Sequence, residues 1–400
     1  VGQDGESPYP LASFYAALEA APAKINVAAY AGHNTLRDEV MGADFRRPAN
    51  DDEIKAMAAL LERELATGAV GLSTGLEYEP GIHSQTSEVM QLAQLTAEAG
   101  GRYISHIRSE DRWFNDALEE IIEIGRVTGM PVQVSHLKLA MASLWGRSPW
   151  IIQRLDAARA EGIDLTADIY PYTYWQASML VLLPERDPMD LAAIDFVMAE
   201  LAPPDGIIFT HFPVEPSYVG MTLTEIAAAR EQNPTEAFSA LAQMSIAHET
   251  ATGDVGDAVL GTSMREDDIA TFMAWPHTNI CTDGGLRDRH PRGAGSFPRV
   301  LGRYVREMGL LTLEDAVHRM TALPARHMGI AQRGVVAPGM IADLVLFNPD
   351  TVMDRATTRK PFAHSEGIHS VWVAGERVLN EGTVSNAYPG RVIRRAGVSL

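Results

Sequence analysis

The chain has 400 residues, with 33 Lys+Arg against 52 Asp+Glu and a formal charge of −19. So acidic a balance excludes a general nucleic-acid binder, which needs clustered cations on phosphates, and disfavours an anionic membrane surface. Hydrophobic residues make up 46%, enough for a large core, and the single Cys281 rules out an intramolecular disulfide. No apolar run reaches the roughly 18 residues of a spanning helix. The length suits two or three domains of about 150 residues, or one α/β barrel with a smaller unit.

In chain order, Val1-Gly2-Gln3-Asp4-Gly5 reads as the end of a strand running into a turn. The expectation is a fragment that begins inside an element; a missing N-terminus takes any signal peptide with it. Residues 25–30 form a β-type run. Residues 51–67 spell a helix: Asn50 or Asp51 caps it, Ile54, Met57, Ala58, Leu61 and Leu65 share a face, and Gly68 stops it. Strands at 69–73, 103–106, 132–136 and 165–170 alternate with helices at 88–99, 114–125 and 151–161. A late strand, 279–283, precedes helices near 298–308 and 313–321. This alternation predicts a parallel sheet with helical crossovers, and such uniformly apolar strands predict burial on both faces.

Two stretches break the rhythm. Residues 171–278 are too long for one crossover and read as an insertion with a strand at 207–211. Beyond about residue 330 the style becomes turn-rich. There 342–347 and 371–379 read as strands, with Ala374-Gly375-Glu376-Arg377 as a hairpin turn. The predicted organisation is therefore a barrel domain over 1–330, insertion included, and a small all-β unit over 331–400.

In a parallel α/β architecture, ligands gather at the carboxyl ends of strands. Asp4, His106, His136 and Asp283 all fall at such ends. The two histidines are 30 residues apart, about one βα unit, so adjacent strands can bring them together. Two imidazoles and carboxylates on one rim suit zinc. A lone strand-end histidine is more often a hydrogen-bonded structural residue. Here two share a Ser-His context, with Asp283 in a matching place. His33 and His211 follow apolar runs and are weaker candidates. His277, His318, His327 and His369 read as structural or exposed.

Ser105-His106-Ile107-Arg108, Ser135-His136-Leu137-Lys138, Asp168-Ile169-Tyr170-Pro171-Tyr172-Thr173, Thr282-Asp283-Gly284 and Asp288-Arg289-His290-Pro291-Arg292 occur in one order. So do Pro338-Gly339-Met340-Ile341-Ala342-Asp343 and Ser365-Glu366-Gly367-Ile368. Together they resemble the N-acyl-D-amino-acid deacylases (D-aminoacylases) of the amidohydrolase superfamily, over nearly the whole chain. The combination is specific, whereas Pro-Gly-x-x-Ala-Asp alone marks only the broad superfamily. The resemblance implies a metal-dependent (β/α)8 TIM-type barrel, here lacking strand one, with the C-terminal part of a small β-sandwich. It implies one tightly bound zinc on His106 and His136, and a second, weaker ion is possible. Asp4 stands where the family has the cysteine of a Gly-Asn-Cys-Gly motif; a carboxylate can ligate zinc but is harder than thiolate. The family's strand-one His-x-His has no counterpart. By the same resemblance Lys138 and Arg292 hold a substrate carboxylate. Asp283 is the general acid/base, and Tyr170 polarises the scissile carbonyl, with Tyr172 the second choice.

The expected activity is hydrolysis of an N-acyl amino acid, with D-specificity carried by the resemblance alone. The expected partner is that small molecule, with neither nucleic acid nor a membrane span. The expected setting is a soluble, cytoplasmic protein; the absent N-terminus leaves export open, and the oligomeric state is undetermined. Each residue also has a bland role. Tyr170 can be aromatic packing, Lys138 a solvated charge, and Asp283 a helix cap before Gly284. Two other readings stand beside the first: a cyclic-amide or dipeptide hydrolase of the same superfamily, and a catalytically silent metal-binding protein or inactive fragment.

Overall fold

The computed structural model describes residues 1–285 and 288–397. Five strands come first: β1 (Ala31–Gly32), β2 (Gly71–Gly75), β3 (Arg102–His106), β4 (Val132–Val134) and β5 (Leu165–Ile169). Three more belong to the insertion: β6 (Tyr174–Ala177), β7 (Ile207–His211) and β8 (Ala258–Thr262). After them β9 (Thr278–Ile280) returns to pair with β5, giving one parallel sheet in the order β1-β2-β3-β4-β5-β9. Among the described residues no hydrogen-bonded ladder joins β1 to β9. Every residue of β2, β4, β5 and β9 is buried, as a sheet covered on both faces requires.

Local signals account for the crossovers. The helix Asp51–Thr67 has a capping box, Asn50 with Glu53, and ends at Gly68 in the left-handed region with φ 108°. Its apolar face, with Met57 and Leu61 fully buried, joins the main core. The helix expected near 298–308 starts earlier, at Arg292, and its turns widen over Val300–Glu307. Pro298 lies inside it and has no N–H to donate.

Several boundaries differ from the sequence reading. The run 25–30 is not a strand. Its backbone bonds are divided: Val27 bridges Val392, and the Tyr30 amide donates to the Val1 carbonyl. The opening segment is tethered at Val1 to the carbonyl of Ala28, then turns at Asp4-Gly5 instead of continuing as a strand. The 132–136 strand stops at Val134, because His136 takes a left-handed backbone with φ 35°. The 279–283 strand stops at Ile280.

The insertion forms an antiparallel sheet in the order β6-β8-β7, backed by helices such as Pro234–Thr252 with its Asn233/Glu236 capping box. The C-terminal unit is a second antiparallel sheet, β10 (Leu344–Phe347), β11 (Ile368–Val373), β12 (Glu376–Asn380) and β13 (Thr383–Val384), paired in that order. Its β11–β12 turn has positive φ at both Ala374 (51°) and Gly375 (83°), the twist a two-residue hairpin needs. Residues 398–400 of the expected all-β unit lie outside the described residues. Among the described residues no helix is long and apolar enough to cross a membrane.

Candidate active site

Register places the carboxyl ends of the parallel strands level: Gly75 pairs with His106, Ser105 with Val134 and Ile169 with Ile280. The residues just beyond those ends line an open cleft of about 640 Å³. Asp4, His106, His136, Lys138, Tyr170, Asp283 and Arg292 all line it.

Asp4, His106 and His136 converge. His106 Nδ1 is 3.0 Å from His136 Nε2, which is 3.1 Å from Asp4 Oδ2. Two zinc ligands at about 2.0–2.1 Å and a tetrahedral angle lie about 3.3 Å apart, close to both separations. Asp4 reaches this point across 132 residues because the chain touches the end of β2. A Cβ on Gly75 there would lie 2.0 Å from the Asp4 carbonyl oxygen, so glycine permits the approach. Asp4, His136 and Asp283 all have positive φ (57°, 35° and 46°), a backbone cost that the site carries at three of its residues.

The electrostatics demand a cation. Burial and Lys138 push the His136 imidazole down, but Asp4, Asp283 and Glu110 overcome them and hold it well above its ordinary value. Burial alone raises the Asp4 carboxyl; the charges and hydrogen bonds of His136, His106 and Ser135 hold it well below the usual carboxylate range. Without a metal, a proton among three ligating atoms supplies the positive charge, and a divalent cation fits the same place by displacing it. The residues therefore fit zinc.

Sequence reasoning missed the groups that orient these ligands. Glu77 Oε2 lies 2.9 Å from His106 Nε2, and Glu110 Oε1 lies 3.0 Å from His136 Nδ1. Each carboxylate thus faces the imidazole nitrogen opposite the candidate metal, the usual way a histidine ligand is aimed. Two signals were available: Glu77 follows β2 by two residues, and Glu110 is four residues after His106. Glu77, His106 and Glu110 also form a second group able to hold an ion. Asp168 on β5 fixes the His136 turn: its carboxylate accepts the His136 amide at 2.6 Å and the Gln133 side chain at 2.5 Å. The Tyr78 ring packs 4.4 Å from that of His106, centroid to centroid.

Lys138 is buried, not solvated. Its Nζ is 2.6 Å from Glu110 Oε1 and 2.6 Å from His136 Nδ1. Burial favours the neutral amine, but Glu110 overrides it and raises the Lys138 pKa. Arg292 donates to Asp283, and among the described residues the next helix after Asp283 opens at Arg292 itself. The Arg292 guanidinium carbon sits 4.7 Å from the Tyr170 ring centre. Both Arg292 Nε and the Tyr170 hydroxyl are buried without a hydrogen-bond partner. Tyr172, by contrast, gives its hydroxyl to Asp354 at 3.1 Å, which leaves Tyr170 as the free phenol. His290 positions Arg292: its Nδ1 accepts the Arg292 amide at 3.0 Å while its Nε2 donates to the Tyr174 carbonyl at 2.9 Å.

The weaker histidine candidates lie elsewhere. His33 is buried against Glu88 at 2.8 Å, with Arg37 closing that ion cluster. His211 meets the carbonyl of Val255. His327 meets Asn279, and His369 meets Glu381.

Known proteins are similar to this chain over most of its length. A family model described as the amidohydrolase family matches residues 13–379. N-acyl-D-glutamate deacylase of Alcaligenes xylosoxydans xylosoxydans is 38% identical over 395 residues, spanning 98% of this chain and 74% of that protein. D-aminoacylase of the same organism is 36% identical over 386 residues, spanning 96% and 73%. The crystal structure of N-acyl-D-glutamate deacylase from Bordetella bronchiseptica, complexed with zinc and a phosphonate inhibitor that mimics the tetrahedral intermediate, superposes with a TM-score of 0.84. It is 39% identical and covers 98% of this chain and 76% of its own. With the family model spanning most of the chain and the parallel-strand rim carrying the converging ligands, the chain belongs to the amidohydrolase family.

Proposed function

We propose that this chain uses zinc to hydrolyse the amide bond of N-acyl-D-amino acids, releasing a carboxylate and a free amino acid. Asp4, His106 and His136 hold the ion. A zinc ion held by these residues would supply Lewis-acid polarisation of the scissile carbonyl and a water acidic enough to ionise near neutral pH. Asp283 accepts the proton of the attacking water on its carboxylate and returns it to the leaving nitrogen. Tyr170 donates its hydroxyl to the oxygen that gains charge on the reacting carbon. Lys138 and Arg292 bind the α-carboxylate, and Arg292 offers a planar fork for it. Glu77 and Glu110 keep the two imidazoles aimed, and Asp168 keeps the His136 backbone in place. A second ion at Glu77, His106 and Glu110 competes with that role and binds more weakly. The catalytic unit comprises residues 1–330, with 331–400 as part of a small β-sandwich.

The observation that carries this reading is the pair of unpartnered buried donors, Arg292 Nε and the Tyr170 hydroxyl, lining the same cleft as the three ligands. Buried donors left unpaired are costly, and an anionic substrate satisfies them. The decisive experiment strips metal with a chelator, restores zinc, and follows amino-acid release from N-acetyl-D-methionine and N-acetyl-L-methionine beside ring opening of a hydantoin to its N-carbamoyl amino acid. Zinc-dependent release from the D-isomer is expected. Turnover of the hydantoin alone favours the cyclic-amide reading, and no turnover with stoichiometric zinc favours a silent metal protein.

A further inference from the structure

Of the three candidate ligands, only Asp4 lies away from a strand end. It sits on a turn with two consecutive left-handed residues, Asp4 and Gly5, at φ 57° and 86°. The start of the helix His33–Met41 holds this turn. There the Thr35 amide donates to the Gly5 carbonyl at 3.2 Å. The Thr35 hydroxyl accepts the Ser7 amide at 2.9 Å and donates to the Ser7 carbonyl at 3.3 Å. Asn34, fully buried, donates its side-chain amide to the Gly75 carbonyl at 3.2 Å. That bond ties the helix start to the end of β2, against which Asp4 rests.

The carboxylate itself is held by a different element. Ser135, buried just beyond β4, donates its hydroxyl to Asp4 Oδ1 at 2.9 Å. Asp4 Oδ2 is the oxygen that faces His136 Nε2. A serine hydroxyl has one proton to give, and here it goes to Asp4. The two oxygens are thereby told apart: Ser135 occupies one, and the other turns to the imidazoles. The main chain of Ser135 is engaged separately, its amide meeting the Ser105 carbonyl at 2.9 Å. Without these holds the turn and the carboxylate must be ordered when an ion binds, which weakens binding.

We propose that Ser135 and Thr35 are positioning residues for Asp4: Thr35 fixes the turn and Ser135 aims the carboxylate, so that Oδ2 meets an ion held by His106 and His136. This rests on the ligand set of the reading above and adds what makes its third member effective. Neither residue is among the described residues that line the cleft, so each acts through Asp4. Loss of an orienting partner weakens a metal site about 10–100-fold, and the lower end is expected for each hydroxyl because the main chain stays in place.

The test measures zinc affinity, by competition against a chromophoric chelator, for the full chain, for Ser135→Ala, Thr35→Val and Asp4→Ala, and for the two double variants with Asp4→Ala. Each hydroxyl deletion is expected to weaken zinc about tenfold, and Asp4→Ala to weaken it further. In the Asp4→Ala background either deletion should change the affinity less than about twofold, because the group being positioned is gone. Cobalt loading supplies a spectroscopic signature: the visible bands of Ser135→Ala should move towards those of Asp4→Ala. Unmoved bands overturn the proposal, as does wild-type affinity in both single variants. Losses that add in the double variants also overturn it, since Ser135 would then act through its neighbour His136 and Thr35 through general stability. If Thr35→Val fails to fold, Ser135→Ala and its double variant decide alone. Wild-type affinity in Asp4→Ala overturns the ligand reading and the proposal together; a loss there beside intact single variants overturns the positioning alone.

Discussion

Glu77→Gln isolates what an orienting carboxylate contributes. In the structure Glu77 Oε2 stands 2.9 Å from His106 Nε2, and the side chain is only 19% exposed. Glutamine keeps an acceptor oxygen there but removes the charge. A hydrogen bond to a charged group is worth about 1.5–3 kcal/mol and a neutral one about 0.5–1.5, so the loss is about 1–1.5 kcal/mol. That predicts a roughly tenfold fall in zinc affinity, while Glu77→Ala, which removes the acceptor, approaches about 100-fold. Competition against a chromophoric chelator measures both without reference to turnover. The fold supplies its own control, because the Glu77 main-chain carbonyl still receives Arg186 in either variant. The metal-free melting temperature should therefore change little. Wild-type zinc affinity in both variants would refute the orienting role and leave His106 held by packing alone.

Asp283→Asn keeps an acceptor for Arg292 but cannot take a proton from water; it should retain zinc and lose about 10²–10⁴ in kcat, read by zinc titration beside steady-state kinetics. Arg292→Ala should weaken an N-acyl amino acid by about 1.5–3 kcal/mol and scarcely affect a matched N-acyl amine lacking the carboxylate; equal losses of kcat/KM would mean that Arg292 only braces its loop. Stability should also fall as pH drops, because burial and Arg326 depress the His327 imidazole to about 4. Between about pH 6.5 and 4 the unfolded chain binds a proton that the folded chain refuses, so stability rises with pH in that window. After discounting for the half-buried ring, the effect is about 1–2 kcal/mol, and His327→Gln should flatten that part of the melting-temperature profile.

What the sequence by itself determined were features written in short stretches of chain. Asn50, the face from Ile54 to Leu65 and Gly68 specify a helix that the structure reproduces at 51–67, because caps and a 3.6-residue period act within a few turns. The 30-residue interval between two Ser-His strand ends was enough to bring His106 and His136 to one rim, because neighbouring parallel strands finish level. Tertiary structure decided whatever depends on partners far along the chain. The run 25–30 is as apolar as a strand, yet its bonds go to Val392 and Val1, so no ladder forms. Tyr170 was preferred to Tyr172 on resemblance alone, and only the fold supplies a physical difference, because Asp354 claims the Tyr172 hydroxyl. Lys138 read as a possible solvated charge until Glu110 and His136 enclosed it. Thr35 carried no signal at all; only the docking of Gly5 and Ser7 beside it makes it a hold on the Asp4 turn. Periodicity and caps are local free-energy preferences, whereas desolvation and hydrogen-bond pairing are settled only when distant segments meet.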